Sequence, residues 1–332
     1  GAFQHDGAHA MPYGRKNKDN PYVEAFWKWW EAELQFTLRE LRVTGGEPSM
    51  SPDFWKLMDW WKENPDCTVP FAVNSNLGQK KQLLDALIES SKSFKDFSIY
   101  TSNEATELQS EYIRYGLDWD VWMTNMRRVN SEGNIRSVNV MMTINSLCLF
   151  SITDFMDEMI KLKKEFGPHA AVMSFNILRF PSFQSIVTLP TEIRMERAQH
   201  MEDWLEKTWD GGSNGFMDME RDGLLRLIEY TRQVDSGHAF TSSKESRERD
   251  FKSFYVQYDI RRKKDFLKTF PMLKEWWDTI PETNIKQLSD VIDGDDAKSN
   301  KYVEDVLKQA KEEGWILNGQ KKWIGNSTFS DI

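Results

Sequence analysis

Cysteine is almost missing from this chain: Cys67 and Cys148 are the only two in 332 residues, and they lie far apart. That excludes a disulfide framework and a closely spaced thiolate metal site, and it suits a reducing compartment. Histidine is scarce too. His5 and His9 form the one close pair, in a Gly/Ala-rich start without other ligand types, so no metal site is expected there. Basic charge is in the minority, 43 Lys+Arg against 52 Asp+Glu, a formal net charge of −9. A nucleic-acid backbone needs a basic face, so it is not the expected main partner. The run Arg261-Arg262-Lys263-Lys264 reads as a solvated helix face. No stretch approaches the ~20 apolar residues of a membrane span. The polar start, Gly1 to Asn20, lacks the apolar core of a signal peptide. The expected location is the cytoplasm.

What is present supports a buried core: 39% hydrophobic residues, 13% aromatic, and 14 tryptophans. Trp27, Trp29, Trp30, Trp55, Trp60 and Trp61 fall on helical patterns. They read first as helix faces packed on a sheet, and alternatively as an aromatic surface for a partner.

From Pro21 onward helices and strands alternate. Val23, Trp27, Trp30 and Leu34 recur at helical spacing. Leu38–Thr44 reads as a strand, and Ser51-Pro52 opens a helix with Ser as N-cap and Pro at its first position. Strands are expected at Thr68–Val73, Phe97–Tyr100, Val138–Ile144 and Ala171–Leu178. Helices are expected at Gln79–Ser91, Asp118–Val129 and Ile152–Phe166. This alternation indicates parallel βαβ units, with every strand's C-terminal end on one rim.

After Pro190 the pattern turns helical: Thr191–Trp209, Arg221–Val234, Phe251–Phe266 and Val303–Gly314, with Gly211–Gly215 as a joint and Ser242–Asp250 as a loop. The expected division is a loop over residues 1–20, an α/β region over 21–190 and a helical C-terminal region over 191–332.

The strand ends carry small polar residues and glycine: Thr44-Gly45-Gly46-Glu47, Asn74-Ser75-Asn76, Thr101-Ser102 and Thr143-Ile144-Asn145, with Arg179 as the exception. Such a rim is where barrel-type folds bind ligands, although the same residues also dominate ordinary turns. Gly45-Gly46-Glu47-Pro48 has the clearest logic. Two glycines let the backbone turn tightly and approach a ligand. Glu47 adds a negative group suited to an ammonium, and Pro48 stiffens the turn.

In this setting, strand Leu41–Thr44, the Gly45–Pro48 turn, then a helix from Pro52, the chain resembles the radical S-adenosylmethionine (SAM) enzymes. The likeness covers roughly residues 21–280, and Tyr258-Asp259-Ile260-Arg261 with Phe270-Pro271 is similar to members with a twitch domain. It implies an α/β fold, a partial (β/α)6 TIM-like barrel with a mostly helical C-terminal extension. It implies a SAM site drawn from Gly45, Gly46, Glu47, Pro48, Asn74, Asn76, Thr101, Ser102, Glu104, Asn145 and Arg179. It also implies a [4Fe–4S] cluster, an electron donor, and a peptide or small-molecule substrate from which a 5′-deoxyadenosyl radical takes hydrogen.

The family's Cys-x3-Cys-x2-Cys is absent, as is the strand that precedes it. With no initiating Met, the expectation is a piece of a longer enzyme whose cysteines lie upstream, inactive by itself. The alternative is a non-catalytic relative that binds a partner through Trp-rich faces. An ordinary phosphosugar barrel is disfavoured, because no glycine-rich phosphate loop precedes a late helix.

Overall fold

The computed structural model describes residues 21–233 and 243–281, which fall into two compact units, 21–38 and 39–281. The loop expected over 1–20, with His5 and His9, and the helix expected at Val303–Gly314 lie outside the described residues. The first unit is a helical segment: α1 (Pro21–Trp29), a π-helical turn (Trp30–Leu34) and α2 (Gln35–Thr37).

The second unit is built on five strands: β1 (Leu41–Val43), β2 (Phe71–Asn74), β3 (Phe97–Thr101), β4 (Ser137–Ile144) and β5 (Val172–Ile177). All pair in parallel, in the order β1-β2-β3-β4-β5. Between them run α3 (Pro52–Glu63), α4 (Lys81–Ser91), α5 (Glu107–Ile113), α6 (Trp119–Glu132) and α7 (Ile152–Phe166). The described chain is therefore a mixed α/β structure around one parallel sheet. Among the described residues no helix is long and apolar enough to cross a membrane.

A strictly sequential order sends each crossover the same way, so crossovers of one hand place their helices on one face. The packing agrees. Val43, Val73, Ile99 and Val138 share one register row, and Thr101, Val140 and Met173 the next on that face. Trp61 of α3 meets Phe71 at 5.2 Å and stacks on Phe94 at 4.8 Å. Trp122 of α6 donates its indole N–H to Thr101 at 3.0 Å. Trp61 and Trp122 are fully buried, so these tryptophans pack the core.

The far end of this face is covered by α9 (Asp218–Arg232), which follows α8 (Thr191–Thr208). A Cβ at Gly223 would come within 2.7 Å of Phe175, so glycine is what allows that approach. Glu220 accepts the Met173 N–H at 2.7 Å, closing the free edge of β5, and forms a fully buried ion pair with Lys163 of α7.

The C-terminal helices α10 (Lys244–Arg262), α11 (Phe266–Thr269) and α12 (Lys274–Thr279) pack on α5 through an aromatic cluster. Tyr112 donates to Asp259 at 2.7 Å, and Tyr258 donates to the Tyr112 carbonyl at 2.7 Å.

Three local features differ from the sequence expectations. Residues 244–250, expected as loop, form the first turns of α10, capped by Ser243, and the charged run includes a fully buried Arg247. Helix α5 has no apolar period to announce it and starts at a left-handed Glu107, φ 45°. Ser51 occupies the N-cap with Pro52 behind it, but its hydroxyl makes no cap bond.

Candidate functional site

The rim at the C-terminal strand ends begins with the Gly45-Gly46 turn. Both glycines have positive φ, +95° and +27°. A Cβ on Gly45 would meet nothing within 4 Å, so the backbone conformation demands glycine and the space beside it stays open.

Glu47 does not project freely from this turn. Its carboxylate accepts from the Ser49 hydroxyl at 2.8 Å, the Ser75 hydroxyl at 3.2 Å and the Asn76 N–H at 2.8 Å. Gln79 adds a longer contact at 3.4 Å. Burial pushes the Glu47 carboxyl above its ordinary value, partly offset by the Asn76 and Ser49 hydrogen bonds. The side chain thus ties the turn after β1 to the turn after β2. Pro48 is buried behind it.

The other rim residues divide by what they already hold. Asn76 accepts the Gly78 N–H at 2.7 Å and Asn145 accepts the Leu147 N–H at 2.8 Å, so both amides shape their own turns. Thr101 lies on the helix-covered face with Trp122 on its hydroxyl, away from the open side. Glu104 is buried against Arg114, whose Nε donates at 3.1 Å, and it also accepts the Thr143 N–H at 3.2 Å. Arg179 is exposed, 5.5 Å from the Tyr230 ring centre. Ser102 is buried and makes no hydrogen bond.

Four buried polar atoms at these strand ends have no partner: Asn74 Oδ1, Gln79 Oε1, Asn103 Nδ2 and Ser146 Oγ. A buried polar group without a partner costs roughly 1–3 kcal/mol, so such a cluster asks for a ligand or ordered water. Asn103 is fully buried, with Oδ1 taken by the Glu104 N–H and the Ser110 hydroxyl, and only its N–H2 unspent.

The second feature is the uncovered face of the sheet. Alternation along β4 puts Val138, Val140, Met142 and Ile144 fully in the core and leaves Ser137, Asn139, Met141 and Thr143 half-buried. The same row as Asn139 holds Asn74, Tyr100 and Val172. Parallel sheets normally bury both faces and read as continuous apolar runs. Here one face is largely polar and mostly part-exposed, with Met141 and Val172 set among its polar residues and the small Ala72 and Ser98 buried between larger neighbours. Sequence reading named Asn74, Ser102 and Thr143 from this region and passed over Tyr100, Asn139 and Asn176. Ser137, Asn139 and Thr143 at alternate positions of Ser137–Ile144, broken only by Met141, were the available signal.

The cysteines do not fit an iron–sulfur cluster. Cys67 lies in the loop entering β2 and Cys148 follows the exit of β4, at opposite ends of parallel strands. Burial holds the Cys148 thiol well above its ordinary value, and its sulfur accepts the Asn145 N–H at 3.3 Å. Among the described residues no group of three or more His, Cys, Asp or Glu is placed to hold a metal ion.

No protein-family model and no curated protein matches the chain. Among solved structures it is similar to a domain of pyruvate-formate lyase-activating enzyme from Bacteroides vulgatus ATCC 8482, at 14% identity and a TM-score of 0.34. The likeness covers 49% of this chain and 93% of that one. At this distance it defines neither a fold nor a chemistry.

Proposed function

We propose that this chain is a SAM-binding scaffold of the radical SAM type: five strands of a partial barrel whose C-terminal rim holds the nucleoside. The observation that carries the reading is the left-handed Gly45-Gly46 turn, open on its ligand side and tied by Glu47 to the end of the next strand. The unpartnered Asn74 and Asn103 amides on neighbouring strand ends support it. In this reading the backbone at Gly45-Gly46 meets the methionyl group, and Asn74, Ser102 and Asn103 offer hydrogen bonds to the ribose or base. Glu47 fixes the turn rather than touching the ligand.

Because the cysteines do not fit a cluster, the chain as given binds SAM and does not cleave it. Isothermal calorimetry with SAM and with S-adenosylhomocysteine tests the first half. Saturable binding weakened about tenfold by Gly45→Ala is the expected result, a difference of ~1.4 kcal/mol. Absence of any binding at millimolar SAM sinks the reading. Anaerobic reconstitution with iron and sulfide tests the second half, and no [4Fe–4S] absorbance is expected.

The alternative of a partner surface made of tryptophans has less to build on. Trp30 and Trp61 are fully buried, Trp27, Trp55 and Trp60 are part-exposed, and Trp29 alone of these six is exposed.

A further inference from the structure

The open face of the sheet carries an unusual set of groups. Tyr100 and Asn139 are register partners on β3 and β4, and Thr143 and Asn176 are register partners on β4 and β5. Asn139 donates its amide N–H2 to the Ser137 hydroxyl at 3.0 Å and the Ile99 carbonyl at 3.4 Å. That pins the amide and leaves its oxygen as an unused acceptor. Asn176 is held the same way, donating to the Ser174 hydroxyl at 3.4 Å. The hydroxyls of Tyr100 and Thr143 make no hydrogen bond, and each residue is half-buried. At one margin the Arg42 guanidinium stacks on the Tyr100 ring at 3.8 Å, with its Nε on Glu40 and its terminal N–H groups unspent.

Charge narrows what such a face can hold. Among the described residues no strand contains an Asp or Glu, although the chain has 52 of them, and Arg42 is the only charged strand residue there. A face kept wet merely for solubility mixes Lys and Glu. This one offers two fixed acceptors, two free hydroxyls and one flat donor group. A cationic ligand would find only the Glu40 carboxylate, already paired with Arg42 at 3.0 Å. An apolar ligand would strand the amides and hydroxyls at a desolvation cost. Strand spacing and rise make the patch from Tyr100 on β3 through Asn139, Met141 and Thr143 on β4 to Asn176 on β5 about 10 Å by 13 Å, the size of a disaccharide.

We propose that this face is a binding site for an uncharged, hydroxyl-rich small molecule, a sugar in chemical class. Ring hydroxyls donate to Asn139 Oδ1 and Asn176 Oδ1 and exchange hydrogen bonds with Tyr100 and Thr143. Arg42 donates to a ring or glycosidic oxygen. The site goes beyond the nucleoside proposed for the rim and does not rest on it.

Saturation-transfer NMR on the full chain, with D-glucose and maltose as probes and L-lysine and L-glutamate as charged controls, tests it. Transfer to the sugars and not to the amino acids is expected. Thr143→Val and Asn139→Leu should each weaken the maltose signal about fivefold, the value of one hydrogen bond near 1 kcal/mol. Thr143→Val, isosteric and half-exposed, keeps the test alive should Asn139→Leu unfold, and circular dichroism checks both. Gly45→Ala should leave the sugar signal unchanged, which separates this site from the rim. The proposal is overturned by absent sugar transfer, by equal transfer to lysine, or by sugar transfer indifferent to both substitutions.

Discussion

The Glu47 carboxylate accepts the backbone N–H of Asn76 at 2.8 Å, 29 residues downstream, and so joins the exits of two neighbouring parallel strands. With the Ser49 and Ser75 hydroxyls on the same carboxylate, the turn after β1 cannot move without the turn after β2. The acid thereby serves the rim through geometry: it spends its lone pairs on protein donors and leaves the Gly45-Gly46 backbone facing outward.

Replacing Glu47 should therefore act on stability and pH response. Glu47→Ala strands the Asn76 N–H and two hydroxyls, and should cost ~1–3 kcal/mol in urea unfolding near neutral pH. Glu47→Gln keeps one acceptor and should cost less. The native carboxyl lies above its ordinary value of 4.5, chiefly through burial, so the folded chain holds this proton more tightly than the unfolded chain. Its stabilisation is complete below the unfolded value and is lost as pH rises through the native value. Wild-type stability minus that of Glu47→Gln should thus fall as pH rises above the ordinary carboxyl value of 4.5. A difference that rises over this range contradicts the assignment.

At Gly45 the penalty should be purely conformational. With open space where a Cβ would stand, Gly45→Ala meets no neighbour, yet φ of +95° is foreign to an L side chain. The expected loss is ~1–2 kcal/mol in chemical denaturation, with the m-value unchanged. A loss within error of zero would mean the turn adopts another conformation in solution.

Much of the scaffold was readable in the sequence because its signals are local. The period-two pattern of Ser137–Ile144 and the helical stripe of Ile152–Phe166 place β4 and α7 within a residue or two of where they lie. The parallel alternation follows from such segments. What sequence could not show is long-range. Nothing near Glu47 announces that Ser75 and Asn76 will take its carboxylate, and nothing near Tyr112 announces Asp259, 147 residues away. Thr101 looks like a rim residue from its neighbours, yet strand alternation turns it toward Trp122. The onset of α10 was hidden because its first turns, Lys244–Asp250, are nearly all charged or polar, and only packing reveals that Arg247 is a core side chain.

The Tyr112–Asp259 bond fastens the C-terminal helices to α5. Burial raises the Asp259 carboxyl above its ordinary value, with the Tyr112 and Phe266 hydrogen bonds opposing. Tyr112→Phe removes a donor from a half-buried acid and should cost ~1–2 kcal/mol. Hydrogen exchange should show the loss first in α10 and α11, with β4 protected as before. Uniformly faster exchange would mean that the two regions unfold as one cooperative unit.

The Lys163–Glu220 pair offers the sharpest stability test, because both side chains are fully buried. Glu220 also accepts the Met173 and Met217 N–H groups, at 2.7 Å each, so it retains donors when the lysine is lost. Lys163 bonds to the Gly215 carbonyl at 3.1 Å and otherwise to Glu220 alone. Lys163→Met leaves a carboxylate in the core without its counter-charge, and should cost ~3–5 kcal/mol. Adding Glu220→Gln removes that charge while keeping an acceptor for the backbone. The double variant should therefore recover part of the loss, giving a coupling energy of ~1–3 kcal/mol in a double-mutant cycle. If the two losses simply add, the carboxylate stays solvated in the single variant and the pair is less sealed than its geometry indicates.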